Sequence, residues 1–332
     1  MKKILNDPFS YVDDMLAGLC AAHPDMYRVA GDGRVVARAD APVAGKVGIV
    51  SGGGSGHLPI FTGYVGKGLL DACAIGDVFA SPSVDQMADA IRVANGGAGV
   101  LRLYGNYGGD VMNFDMAGDM VEMEDIATTT VLLADDVASA PRAEREKRRG
   151  VAGMVYAFKI AGAAAEAGKD LEEVTRIAQK AADSCVSMGA ALTPCTVPQA
   201  GKPTFTIGED EMEMGMGIHG EPGVWRGKMR TADEIAGELM DNLLADQPLV
   251  AGDRVSVLVN SLGATPPEEL YILYRIVQQR LEAAGAAIVM PLVGRYATSM
   301  EMAGVSFTIC KLDDELEGCL KAPASCAFWQ VG

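Results

Sequence analysis

Gly48-Ile49-Val50-Ser51-Gly52-Gly53-Gly54-Ser55-Gly56-His57-Leu58-Pro59 is the segment on which the architecture of this chain turns. Lys46–Val50 has the apolar character of a short strand. It runs into six residues of which four are glycine, and then into a histidine. Glycines release the steric limits on φ and let backbone approach a small ligand closely, and their bare N–H groups can form a nest for an anion or an oxygen. Read as a loop, the stretch delivers His57 just beyond the carboxyl end of a strand, where an open α/β sheet offers its ligand crevice. His57 is one of only three histidines in the chain, which gives the placement weight.

On both sides of this segment, strands alternate with helices. Arg34–Arg38 and Lys46–Val50 read as strands about a proline-containing turn, followed by Leu69–Ile75, Val100–Tyr104 and Thr128–Leu133. Helical periodicity follows Asp7-Pro8, follows Ser81 with Pro82 at a first helical position, and covers Val111–Met123, which leaves Asp110 on a strand-to-helix loop. The alternation predicts a largely parallel sheet with flanking helices. Two alanine-rich helices, Val151–Glu166 and Asp170–Met188, precede Thr193-Pro194-Cys195-Thr196-Val197-Pro198, and the charged segment Ala138–Arg149 before them reads as a solvated loop. At 332 residues two domains are expected: an N-terminal α/β domain over 1–190 with the glycine loop and a general base, and a smaller C-terminal α/β domain over 191–332. The second half supplies Phe205–Ile207, an acidic Met-rich run over Gly208–Gly217, a helix at Thr231–Leu244, a strand at Arg254–Asn260, a helix at Leu270–Ala284, and strands at Ala287–Met290 and Ser306–Ile309.

Composition narrows the function. With 28 basic and 44 acidic residues the net charge is −16, a field that repels phosphate backbones and argues against nucleic acid as a partner. Seven cysteines, odd in number and without a CxxC pair, read as buried reduced thiols. Met1–Asp7 shows no signal-peptide pattern, so a cytoplasmic location is expected. The longest apolar stretch, Val151–Gly168, is interrupted by Lys159 and fits a buried helix rather than a membrane span.

Each phosphate motif fails at a named residue. In a GxGxxG register from Gly52, His57 stands in the third glycine's place, and no Gly-Lys-Ser/Thr follows the glycines. The histidines form no HxxxH or HxxE unit, so no metal site is expected, and Gly53-Gly54-Ser55-Gly56-His57 is not a GxSxG elbow. His57, Asp110 and His219 remain. A carboxylate near an imidazole suits proton removal from a hydroxyl. A neutral imidazole, with a pKa near ~6.5, can also add as a nucleophile to a carbonyl.

Ser51–His57, Asn106-Tyr107-Gly108-Gly109-Asp110-Val111-Met112-Asn113-Phe114 and Gly217-Ile218-His219-Gly220-Glu221-Pro222-Gly223 resemble the three signatures of the dihydroxyacetone kinase K domain. Val259–Gly263 and Tyr296–Gly304 resemble its later motifs, so the likeness runs in order over essentially the whole chain. The resemblance implies that His219 adds to the carbon of a short-chain ketose as a hemiaminal, a bond that polyols cannot form. It implies that Asp110 and His57 help remove the terminal hydroxyl proton during phosphoryl transfer. It assigns substrate contacts to Gly53, Gly54, Ser55, Gly56 and Gly105, with the Ser81 loop closing the pocket. No Asp-Gly-Asp-His-Gly motif is found, so a separate L-type subunit is expected to carry ADP or ATP and Mg²⁺, recharged in some systems by a phosphotransferase protein, with no cofactor in this chain. A homodimer is expected. Leu58 stands where the family often has Glu, Gly105 where it often has Lys, and Gly108 where it often has Thr or Ser. These departures suggest a roomier pocket floor and a ketose larger than a triose, such as erythrulose. Some relatives of this family sense the ketose and co-activate a transcription regulator without turnover, which is the alternative reading.

Overall fold

The computed structural model describes residues 2–332. Among these, six strands build a first sheet in the order β1-β2-β4-β3-β5-β6: Tyr27–Ala30, Val35–Arg38, Gly48–Ser55, Ala72–Val78, Val100–Gly105 and Thr128–Leu133 are β1 to β6. β4, β3, β5 and β6 are parallel, while β1 and β2 add an antiparallel edge. The parallel strands bury both faces. α2 (Val84–Ala94) and α3 (Gly108–Glu122) cover one face through Met87, Ile91, Phe114 and Val121. α1 (Tyr11–Ala22), α4 (Gly153–Glu166) and α5 (Leu171–Asp183) pack on the other, which is the doubly covered arrangement such strands need.

A second, seven-stranded sheet is centred on β7 (Cys185–Thr193), with Ala303–Leu312 and then Arg254–Ser261 on one side and Glu211–Met214 and Trp225–Lys228 on the other. Its central pairs are antiparallel. α6 (Ala232–Asp246) and α7 (Pro267–Ala283) cover its outer face. α4 lies between the two sheets, in a core that also takes Leu258, Cys310, Leu312 and α8 (Asp314–Lys321). That position explains why every residue from Gly153 to Ala165 is buried. A surface helix needs only one apolar stripe, whereas α4 is apolar on nearly every side, its one buried lysine, Lys159, donating to the Cys319 carbonyl at 2.7 Å.

The mixed α/β class with a largely parallel first sheet is what the alternation predicts. Several local expectations are corrected. The glycine stretch is not a loop: β3 continues through it to Ser55 with every residue buried. Asp110 sits in the first turn of α3, not in the loop before it. Pro82 precedes the helix, and Ser83 is the N-cap, its hydroxyl accepting from the Gln86 N–H while the Gln86 side chain returns the bond. The helix expected to reach Met188 stops at Asp183, and Cys185–Thr193 is a strand. Residue 190 therefore falls inside a strand of the second sheet, and the change of sheet lies upstream of Cys185. Within the charged segment, Arg148 is buried and Arg149 nearly so, because both are paired. The seven cysteines are free thiols, five of them buried.

Candidate active site

β3 ends at Ser55, and Gly56, at φ 103°, turns the chain so that His57 faces inward. This φ is open to glycine and costly to other residues. The ring of His57 is buried, stacked on Phe79 with centroids 4.9 Å apart and approached edge-on by His219, also at 4.9 Å. Phe79 holds a left-handed φ of 58°, unusual for a bulky residue, and that turn presents its ring to both histidines. Nδ1 of His57 lies 2.6 Å from the Thr298 carbonyl. A carbonyl only accepts, so Nδ1 carries the proton and Nε2 presents a lone pair. Nε2 is buried without a partner. Burial, reinforced by the neighbouring His219, pushes the His57 pKa down to about 3, so the ring stays neutral.

His219 arrives on the loop after Glu211–Met214. Its Nδ1 stands 3.0 Å from Glu221 Oε1, and its backbone N–H donates to Glu221 Oε2 at 2.9 Å. The carboxylate accepts, so Nδ1 carries a proton, and in the neutral ring Nε2 presents the lone pair. Burial works against ionisation of Glu221, but the hydrogen bond and charge of His219, with help from Arg149, hold it down to about 2. Asp110 comes from the first turn of α3 and lines the same cavity as both histidines. Burial pushes its carboxyl up to about 6, with Ser81 and the nearby His219 drawing it the other way. Its Oδ1 is buried and unpartnered.

Gly54, His57, Tyr107, Asp110 and His219 line one cavity, walled further by Phe61, Met154 and Ile218, with about 20 Å³ of water-accessible space. Three buried polar atoms lacking partners belong to that lining: His57 Nε2, Asp110 Oδ1 and the Tyr107 hydroxyl. Buried polar groups are ordinarily satisfied, so this convergence marks a place built to receive a polar molecule.

The expected site residues divide accordingly. His57, Asp110, His219 and Gly54 meet, and Ser81 reaches the site through Asp110. Gly53 is not on the lining: the Phe61 ring fills the space its side chain would occupy. Gly54 admits the Phe79–Ala80 backbone, whose atoms stand 2.7 Å from where a Cβ would be. Ser55 is buried in the strand end, its carbonyl accepting from Phe79 N–H at 3.0 Å. Gly56 leaves room for the Phe79 ring. Gly105 is covered by Tyr107 and Gly150, both 3.3 Å from where a Cβ would stand, and Gly108 faces open solvent. The anticipated roomier floor is thus corrected: Tyr107 occupies the space above Gly105. Leu58 lies outside the lining, its carbonyl accepting from Thr298 Oγ1 at 3.0 Å.

Four further residues shape the site without standing out in the sequence: Glu221, Tyr107, Thr298 and Phe79. The His219-Gly220-Glu221 spacing is a usable signal for the first, since an acceptor two residues on can fold back onto an imidazole. Nothing local points to Phe79 or Thr298, which meet His57 only through tertiary packing.

The Dak1 domain model matches residues 17–328. The chain is 48% identical, over 99% of its length and 100% of the relative's, to the dihydroxyacetone-binding subunit DhaK of PTS-dependent dihydroxyacetone kinase 1 of Listeria innocua. It is 45% identical to the D-erythrulose kinase of Mycolicibacterium smegmatis, covering 100% of this chain and 57% of that one. The dihydroxyacetone kinase of C. freundii superposes with a TM-score of 0.90 at 33% identity, over 99% of this chain and 60% of that chain. With the match running from before β1 to the end of the second sheet and beyond, the chain belongs to the Dak1 domain family.

Proposed function

We propose that this chain is the ketose-binding part of a kinase that phosphorylates a short-chain ketose, dihydroxyacetone or a tetrulose such as erythrulose. The observation that carries the proposal is that His219 shares one cavity with three residues, His57, Asp110 and Tyr107, that each hold a buried polar atom without a partner. The activities for which the relatives are named, a dihydroxyacetone-binding subunit and an erythrulose kinase, support the substrate class.

The chemistry follows from the protonation states. The Nε2 lone pair of His219 adds to the ketone carbon and the carbonyl π pair moves to oxygen, which takes up a proton as the ring gives up the one on Nδ1. The product is a neutral hemiaminal, and Glu221 stabilises the imidazolium-like charge that develops on the way. Glycerol, without an electrophilic carbon, is rejected. Asp110 would take the proton of a terminal hydroxyl as the hydroxyl oxygen attacks the phosphoryl group brought by the partner, the bond from that phosphorus to the nucleoside diphosphate breaking as the new one forms. Asp110 suits that role better than His57: a base near 6 is ionised at neutral pH and still basic enough to take a proton. His57, held near 3, serves as a hydrogen-bond acceptor that orients the hydroxyl.

The glycine stretch does not fit a phosphate, because Phe61 and the Phe79–Ala80 backbone fill the space its missing side chains leave. The nucleotide, ATP or an ADP that a phosphotransferase protein recharges, is assigned with its Mg²⁺ to an L-type unit. A homodimer in the cytoplasm is the expected setting.

Intact mass under non-denaturing conditions, after incubation with dihydroxyacetone or erythrulose, tests the covalent step. Wild type should gain one ketose and His219→Ala none. An adduct surviving in His219→Ala refutes the nucleophile. Turnover with an L-type partner supplied separates the kinase from a ketose sensor: adduct without phosphate transfer favours the sensor.

A further inference from the structure

Glu221 is held from two sides. On one, its carboxylate receives the ring and backbone N–H groups of His219. On the other, Arg149 Nη1 stands 3.9 Å from Glu221 Oε2. Arg149 is itself fixed: Nε and Nη2 both reach Asp136 Oδ2, at 2.9 and 2.8 Å, and Nη2 approaches the Gly215 carbonyl at 3.4 Å. Asp136 is tied down in turn by the Ala138 N–H at 3.1 Å. The guanidinium is 15% exposed and the Asp136 side chain 5%, so little solvent screens the pair. Gly217 permits the approach: a methyl group there would overlap both Arg149 Nη1 and Glu221 Oε2. Its φ is not in the left-handed region, so alanine is barred by this contact and not by the backbone.

We propose that Arg149, anchored on Asp136, is a positioning residue for His219. It clamps Glu221 over Gly217, so that Glu221 fixes the Nδ1–H tautomer and leaves Nε2 free for the substrate. Asp136 follows β6 of the first sheet and His219 belongs to the second, so the clamp sets the nucleophile of one half against the scaffold of the other. A point charge alone would hold Glu221 ionised. The fork of Arg149, gripping Asp136 with two nitrogens while a third faces Glu221, also fixes where the carboxylate stands. The inference rests on the reading of His219 as nucleophile, but its physical content, the tautomer, needs no substrate to measure.

Heteronuclear NMR of the imidazole nitrogens reads the tautomer directly, and three histidines make assignment tractable. Wild type should show His219 as the Nδ1–H form alone. Arg149→Met and Gly217→Ala should show a mixture with the Nε2–H form, and Arg149→Lys, which keeps the charge without the fork, should recover only part of the wild-type signal. Ketose adduct formation, followed by intact mass with dihydroxyacetone, should slow about ten- to a hundredfold in the first two variants, the range for loss of an outer-shell partner, and less in the lysine variant. An unchanged tautomer in folded Arg149→Met or Gly217→Ala overturns the proposal. So does a lowered melting temperature in all three variants with the tautomer intact, since that is a purely structural arginine. Should Arg149→Met fail to fold, Gly217→Ala decides, because it keeps the charges of both Arg149 and Asp136 while forcing the guanidinium and Glu221 apart. If wild type forms no ketose adduct, the ketose reading falls while the tautomer result stands.

Discussion

Asp110 sits in the first turn of α3, where the helix dipole favours a carboxylate, yet its pKa rises to about 6 because burial outweighs the dipole. A folded-state pKa raised from 3.8 means that this group's stability contribution is complete below about 3.8 and lost as pH climbs through about 6. Ionised Asp110 is therefore a cost at neutral pH, on the order of 1–3 kcal/mol. Asp110→Asn should melt higher than wild type near pH ~7.5, with the gap closing toward pH ~4, while phosphoryl transfer is lost and the His219 adduct kept. A mutant no more stable than wild type at neutral pH would refute the burial argument. In wild type, turnover should fall as pH drops through about 6, where Asp110 takes up its proton. His57 has the opposite sign. Its pKa is lowered from 6.5 to about 3, so its contribution is present above 6.5 and lost as pH falls. Tyr107 gives a second prediction at this scale. A cavity of about 20 Å³ holds one or two waters, so a ketose enters only if a wall moves, and Tyr107, half-buried and with no hydrogen bond on its hydroxyl, is the wall we expect to move. Tyr107→Ala should speed adduct formation several-fold and admit longer ketoses. Unchanged rates and range in a competition assay would place the gate elsewhere.

Elements are legible in the sequence where periodicity is strong. α2, α3 and β6 stand within a few residues of their expected positions, since their apolar spacing reports burial directly. β3 reads as a loop for a physical reason: glycines are depleted in strands, while what makes this strand glycine-rich is the pressure of Phe61, Phe79 and Phe114 from other segments. The site is legible in its chemistry, with His57, Asp110 and His219 meeting, and illegible in its supports, because Thr298 and Phe79 act on His57 across the fold. β3 carries its own prediction. A methyl at Gly53 would overlap the Phe61 ring, so Gly53→Ala should destabilise by about 1–3 kcal/mol, as overpacking does. Gly53→Ala with Phe61→Leu should regain most of it in urea unfolding. Failure of the pair to rescue would show that contacts other than the Phe61 ring set the cost, since alanine in place of glycine lowers the entropy of the unfolded chain and by itself stabilises.

The two sheets are joined as one body by α4 in the shared core and by polar ties beside the site. Arg148 is the strongest of these. It follows the first sheet, is 1% exposed, and donates Nη1 and Nη2 to Asp246 at 2.9 and 2.6 Å, with Nε on the Ala140 carbonyl at 2.8 Å. Asp246 ends α6 of the second half, and its side chain is 14% exposed. That asymmetry orders the mutants. Arg148→Met leaves a carboxylate that water can reach, and the methionine stem keeps the packing of the arginine stem, so the loss should be about 2 kcal/mol. Asp246→Ala strands a guanidinium that cannot shed its proton and cannot reach water, and removing one partner of a buried pair costs about 3–5 kcal/mol. Asp246→Ala should thus be the more damaging by at least about 1 kcal/mol in urea unfolding. The double mutant should recover part of the difference, since it leaves no stranded charge. Equal losses, or a worse Arg148→Met, would mean that packing around the arginine stem, not the buried charge, ties the halves together.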